Sequence, residues 1–190
     1  MALTLVKPAI NLIPSYLEAL REGNFVTMQP GFGNDAPEDI ERDPAAYLAK
    51  VNAPAPFTFK FKNGREARVT EHELLWITDG PRFLGTVALR YRGDPEMLDV
   101  YAGHIGLAIR PALLNRGYGP RAIGNLRDEL AKRAAEHGLD FVYATCNVDN
   151  RASARLIEFF GGILEEKTED TFGHGPNMRY KIMVDQKHEK

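Results

Sequence analysis

The hydrophobic pattern of the chain changes period near Phe57. Ahead of that point apolar residues recur at helical spacing in short stretches. Residues 15–22, SYLEALRE, open with Ser15 and place Glu18 three positions on, the spacing of a capping box, and Gly23 follows as a stop. Residues 29–44 hold Pro30, Gly31, Gly33, Asn34, Pro37 and Pro44, which reads as a loop with room for one helical turn. Asp43-Pro44 then supplies an N-cap and a first-position proline for a helix through AAYLAKV. This front section, residues 1–56, is expected to form a wall or lid of the site.

After Phe57 the period becomes two. Phe57, Phe59 and Phe61 alternate with Thr58, Lys60 and Lys62, and Asn63-Gly64 is a hairpin turn signal. RVTEHELLWIT and RFLGTVALRYR read as two strands joined across Asp79-Gly80-Pro81, and residues 100–109 as another. A helix over 120–137 follows, then a strand at 139–147, a short helix at 151–160 and strands near 163–169 and 178–184. In the long helix Ile123, Leu126, Leu130 and Ala134 give one apolar face, with Gly138 as its stop. The pattern predicts an α/β domain: a mixed central sheet of about seven strands flanked by helices, with one parallel β-α-β unit. No repeat or interdomain linker divides the 190 residues, so a single domain spanning the chain is expected.

Between the strand at 100–109 and the long helix lies RPALLNRGYGPRAI, in which Gly117 and Gly119 flank Tyr118 after Arg116. A helix N-terminus with glycines ahead of it attracts phosphate, because its N–H groups are unpaired and no Cβ bars close approach. A tight strand–helix turn with glycines for geometry alone explains the same residues. Two nucleotide motifs are excluded: Pro120-Arg121 stands where a Walker loop needs Lys-Ser/Thr, and Ala122 where a Rossmann fingerprint needs its third glycine. Gly103 and Gly106 in the preceding strand suit close approach of another backbone. An extended amide chain ending in a pyrophosphate, such as coenzyme A, accounts for both features.

Composition narrows the partners. A formal charge of −2 and a pI near 6.2 leave no electrostatic footprint for nucleic acid or an anionic membrane. The opening MALTLVKPAI lacks the basic and long apolar regions of a signal peptide, and no stretch approaches a membrane span. The lone Cys146 excludes an internal disulfide and suits a reducing compartment. A cytoplasmic protein without nucleic-acid or membrane partners is expected. A homodimer is left open.

The segments HIGLAIRPALLNRGYGPRAI and ATCNVDNRASARLIEFFGG resemble the GNAT N-acetyltransferase superfamily, and also a bacterial branch of predicted acetyltransferases. Ile109, Pro111, Gly117 and Gly119 match the family's strand and Gln/Arg-x-x-Gly-x-Gly/Ala turn, and Leu114 departs from its first position. The resemblance implies a GNAT-like sheet and transfer of an acetyl group from acetyl-CoA, without a metal, to a primary amine of a small molecule or peptide by direct attack. It implies that backbone N–H groups near Leu107, Ala108 and Ile109 polarise the thioester carbonyl, and that Leu114, Asn115, Arg116, Gly117, Tyr118 and Gly119 hold the cofactor. Asn147 and Asn150, at the end of the next strand and the start of its helix, match cofactor-contacting positions, and Asn150 is also placed to cap that helix.

Catalysis needs a group to take the amine's proton. His104 ranks first, on the cofactor strand and titrating near neutrality. A packed or surface histidine is the stronger competing explanation. Glu71 and Glu73 on an earlier strand come next, with Glu73 the second catalytic candidate. Many relatives carry a tyrosine as acid where this chain has Ile157, which opens the alternative of a CoA- or acyl-CoA-binding module with weak or no catalysis. Tyr143 reads as core, Cys146 lacks an activating partner, and Arg90 and Arg92 read as a solvated strand end. Because a β-carbon would fill the proposed cradle, Gly117→Val is expected to lower acetyl-CoA affinity more than it lowers folding stability. Paired calorimetry and thermal unfolding measure the two, and unchanged affinity in a folded variant removes the cradle.

Overall fold

The structure is a computed structural model that describes residues 3–23, 36–53, 55–113, 120–170, 173 and 175–184, with backbone alone at 120–125. Among the described residues eight strands form one sheet: β1 (Thr4–Val6), β2 (Phe57–Lys60), β3 (Glu66–Asp79), β4 (Arg82–Gly93), β5 (Ile105–Ile109), β6 (Phe141–Asn147), β7 (Ile163–Thr168) and β8 (Asn177–Met183). Their order is β1-β3-β4-β5-β6-β8-β7, with β2 paired to β3. The pairs β1/β3, β2/β3, β6/β8 and β7/β8 are antiparallel, and β5/β6 is parallel at Ile105↔Ala144. Among the described residues five α-helices accompany it: α1 (Ile13–Arg21), α2 (Pro37–Arg42), α3 (Pro44–Asn52), α4 (Pro120–Glu136) and α5 (Arg151–Phe159). The expected mixed α/β architecture is present, with β1 the strand that period-two reading misses. Three residues are too short to show alternation, and β1 is fixed by tertiary contacts such as Thr4 Oγ1–Thr78 Oγ1 at 2.9 Å.

The chain forms two compact units. The first comprises Met1–Ala55, His72–Leu89 and Leu107–Leu126. Its core is aromatic: Tyr16 of α1 stacks on Trp76 at 4.6 Å and on Tyr47 of α3 at 5.7 Å, with Phe83 edge-on at 5.0 Å. Ile13, Tyr16 and Leu17 supply α1's buried stripe at the three-and-four spacing of a helix. The capping box expected at Ser15 and Glu18 does not form. The helix starts two residues earlier, with Pro14 in its first turn, and the Ser15 hydroxyl accepts a hydrogen bond from Phe83 N–H at 3.0 Å. Asp43 caps α3 as expected, accepting from Ala46 N–H at 2.9 Å. Gly85 of β4 lies so close to β5 that a Cβ there would run into the carbonyl oxygen of Ala108.

The second unit comprises Pro56–Glu71, Arg90–Gly106 and Arg127–Lys190. The β2–β3 hairpin turns at Asn63-Gly64, where Gly64 has φ +84° and Asn63 Oδ1 accepts from Arg65 N–H at 3.0 Å. Phe59 and Phe61 pack on Tyr101 at 5.3 and 5.0 Å. The strand read from residue 100 is shorter than its composition suggests. Glu96–Tyr101 is a helical segment of π type, and Gly103 adopts φ +70° before β5 begins at Ile105. A Cβ at Gly103 would stand 2.5 Å from Tyr143 O, so only glycine lets this segment approach β6. On β6 it is Val142, Ala144 and Cys146 that are buried, while Phe141 and Tyr143 lie on the half-exposed face, correcting the assignment of Tyr143 to the core. The buried face packs with Ala134 of α4, Ala154 and Ile157 of α5, and Ile182 of β8. The edge strand β7 carries a bulge at Leu164/Glu166 and the run Glu165-Glu166-Lys167, devices that discourage further strand pairing. Among the described residues no helix is long and apolar enough to cross a membrane.

Because the Ala108 carbonyl leaves no room for a methyl group, Gly85→Ala is expected to destabilise the fold by about 1–3 kcal/mol, the usual cost of overpacking. Urea unfolding monitored by tryptophan fluorescence measures it, and an unchanged midpoint would show that β4 and β5 separate freely.

Candidate active site

β5 stands fourth in the seven-strand order, between β4 and β6, a position where strands are normally the most covered. β4 beside it is buried along most of its length. Each of the five β5 residues, Leu107, Ala108 and Ile109 among them, is nonetheless half-exposed. In the first unit the strand closes on β4 through Arg110 N–H, which donates to Leu84 O at 2.8 Å. The turn residues Leu114, Asn115, Arg116, Gly117, Tyr118 and Gly119 lie outside the described residues.

Arg110, at the exit of β5, is a buried charge that the sequence reading passed over. Its guanidinium is almost fully buried at the exit of β5. Nε donates to Glu22 Oε1 at 2.8 Å, Nη2 bonds the same oxygen, and Nη2 also meets Glu18 Oε2 at 3.1 Å. The hydrogen bond from Arg110 to Glu22 is the chief reason that the guanidinium pKa rises above its ordinary value, against the opposing effect of burial. The available signal was a charged residue between an apolar strand and Pro111, with two carboxylates four residues apart at a helix end.

In the second unit His104 is buried and bonded to β6 by both backbone and ring. Its N–H donates to Tyr143 O at 2.7 Å, and its Nδ1 accepts from Tyr143 N–H at 3.1 Å. An imidazole whose Nδ1 accepts carries its proton on Nε2 when neutral. Burial pushes its pKa below the ordinary histidine value; Asp99 pulls it back up and Arg90 pushes it further down. Arg90 itself corrects the expectation of a solvated strand end. It is 3% exposed and donates from Nη1 to Gly103 O at 3.2 Å. Burial lowers its pKa to about 10, with Tyr101 opposing, so it remains a cation at neutral pH.

Asn147 and Asn150 each serve the local backbone. Asn147 Oδ1 accepts from Asp149 N–H at 3.0 Å, and Asn150 Oδ1 accepts from Ser153 N–H at 3.1 Å, capping α5. Ile157 packs inward beside Cys146 and Tyr180. The Tyr180 hydroxyl lies 3.5 Å from Glu158 Oε1. The Cys146 thiol is buried, and burial, then Glu158, push its pKa up, which opposes thiolate formation.

The two carboxylates of β3 differ. Glu71 accepts from Arg92 Nε at 3.0 Å and meets His137 Nδ1 at 2.8 Å, while the His137 ring lies flat on Tyr91 at 3.5 Å. Glu73 is half-buried within the first unit. Among the described residues no group of three or more His, Cys, Asp or Glu side chains is arranged to hold a metal ion.

The depressed His104 pKa carries a sign. The unfolded chain binds the proton before the folded one does, so the stability contributed by neutral His104 is present above the ordinary histidine pKa, about 6.5, and is lost as pH falls below it. Urea unfolding between pH 7.5 and 5 is expected to show a steeper loss in the wild type than in His104→Gln. A wild type that gains stability on acidification would contradict a neutral, buried imidazole.

Residues 4–162 match the family model described as acetyltransferase (GNAT) domain, well over half of the chain. No curated protein sequence matches the chain. Solved structures share the fold at low identity. A mutant of spermidine N-acetyltransferase SpeG from Vibrio cholerae superposes with a TM-score of 0.59 at 15% identity, over 96% of this chain and 94% of that one. The microcin C7 self-immunity acetyltransferase MccE, in complex with acetyl-CoA and AMP, gives 0.61 at 14% identity, over 96% and 92%. The acetyltransferase from Salmonella typhimurium that modifies the N-terminal serine of ribosomal protein L7/L12 gives 0.60 at 14%, over 97% and 96%. With its sheet order, its parallel β5/β6 pair and the match across residues 4–162, this chain belongs to the GNAT acetyltransferase family.

Proposed function

We propose that the protein transfers an acetyl group from acetyl-CoA directly to a primary amine of a small molecule or peptide. The observation that carries this reading is β5: a central strand of an acetyltransferase fold whose every residue is half-exposed. Water covers that surface poorly, and an extended amide chain laid along it would use both its apolar side chains and its backbone. The residues present fit a pantetheine arm in this respect. The thioester supplies the acyl group. Backbone N–H groups near Leu107, Ala108 and Ile109 polarise its carbonyl, and the turn at 114–119 with Asn147 and Asn150 is assigned to the rest of the cofactor. No metal takes part in the proposed chemistry. The fold relatives act on spermidine and on the N-terminal serine of a ribosomal protein, which supports an amine acceptor in general terms. Cytoplasmic action without nucleic-acid or membrane partners belongs to the same proposal.

Two residues are proposed to take the proton of the attacking amine, Glu73 and His104. Taking it on Nδ1 requires His104 to give up its hydrogen bond from Tyr143. Glu73 therefore ranks first and His104 second. The second reading, a CoA-binding module with weak chemistry, rests on Ile157, an apolar side chain packed inward where many relatives have an acid.

Acetyl-CoA incubated with a panel of amines, with free thiol followed in time, tests the transfer. Calorimetry on the same protein separates the two readings: binding without thiol release across the panel supports the module. Glu73→Gln is expected to lower the neutral-pH rate by about 10²–10⁴-fold with acetyl-CoA affinity unchanged. His104→Gln is expected to keep the wild-type pH–rate limb. If His104→Gln loses that limb and Glu73→Gln does not slow the reaction, the two assignments exchange places.

A further inference from the structure

Glu18 and Glu22 stand four residues apart on one face of α1, Glu22 being its C-cap residue. For the helix alone this is a poor place for them. Like charges at i,i+4 repel, and a helix C-terminus carries negative partial charge. Both carboxylates close on Arg110, which is otherwise a cation buried at the end of β5. The same residue's N–H closes the β4–β5 ladder on Leu84 O. One residue thus joins three elements of the first unit: α1, β4 and the exit of β5.

The three groups are matched in charge and position. A buried guanidinium stripped of carboxylate partners is strongly destabilising, and its donors are a rigid fork that an ammonium does not reproduce. Glu22 takes two N–H bonds on one oxygen while Glu18, which is mostly exposed, takes a third contact on the outside. The C-terminal end of β5, where the chain turns into Pro111–Leu113, therefore has its direction set by the end of α1.

We propose that Arg110, clasped by Glu22 and Glu18, is a positioning residue. It holds the Leu107–Ile109 backbone in the geometry that receives the acyl carrier, without itself touching the reacting atoms. This rests on the acetyl-CoA reading of β5. The role predicts a division of effects. Loss of the clasp loosens the strand exit and weakens cofactor binding, while the aromatic core around Tyr16 and Trp76 stays packed.

The test uses the full chain in three forms: Arg110→Lys, Glu22→Gln, and the exchanged pair Arg110→Glu with Glu22→Arg. Hydrogen exchange of the ligand-free protein is expected to rise in peptides covering 105–113 in both single variants and not in those covering the α3 core. Acetyl-CoA affinity by calorimetry is expected to fall about tenfold, within the range that substitutions away from a ligand impose, with KM for acetyl-CoA rising more than kcat falls. The exchanged pair should recover part of both. Exchange that rises uniformly, or affinity unchanged in singly substituted folded protein, would overturn the positioning role in favour of plain stability. If the wild type binds no acetyl-CoA, the cofactor reading fails. Hydrogen exchange then still judges the clasp, since it is read without ligand.

Discussion

The structure depends on one constraint: β5 must be held from its flanks while its surface stays open. A central strand ordinarily gains its stability from side chains buried on both faces. The five residues of β5 are each only half-buried, with Ala108 and Ile105 packed on the neighbouring cores, so part of its position comes from its flanks. The backbone of β4 supplies it on one side, with Gly85 allowing an approach that any β-carbon would prevent. Arg110 supplies it at the strand's exit, through an N–H to Leu84 and a guanidinium to α1. Gly103 and His104 supply it at the entry, through the Gly103–Ala144 bridge and the His104 N–H bond to Tyr143 O.

The polar groups that do this work are buried and bonded, which accounts for their cost being tolerable. Arg90 donates to Gly103 O, the carbonyl ahead of His104, and its positive charge helps to keep the imidazole neutral. Neutral His104 then accepts from Tyr143 N–H, joining β5's entry to β6 by a side chain as well as a backbone bond. A protonated ring would lose that acceptor and face a cation in an interior site. Burial and hydrogen bonding together favour the neutral ring over the opposing pull of Asp99.

The first unit solves a different problem. Its helices are short, and helices of nine residues are marginal on propensity alone. Stacked aromatic rings from α1, α3, β3 and β4 supply the packing, and Ser15 adds a bond from a helix to a strand N–H. Side chains that a linear reading assigns to helix capping are thereby used for joining layers: Ser15 serves β4, and Glu18 serves β5's exit.

Much of the frame follows from local rules that the sequence states directly. The period-two runs, Asn63-Gly64, Asp43-Pro44 and Asn150 placed strands, a turn and two helix starts correctly, because each is decided by neighbours within four residues. The resemblance of the strand–turn–helix segment pointed to the family that the whole-domain match establishes. The sequence could not place β1, the helical segment ending at Tyr101, or the burial of Arg90, since each is decided by a partner farther along the chain: Thr78 for Thr4, Ala144 for Gly103, and Gly103 for Arg90. Nor could it show that Arg110 meets Glu22, a pair separated by 88 positions. Periodicity determined which residues form strands and helices; which charges became buried was decided only when those elements packed, because desolvation depends on what lies across the fold and not on what lies beside it in sequence.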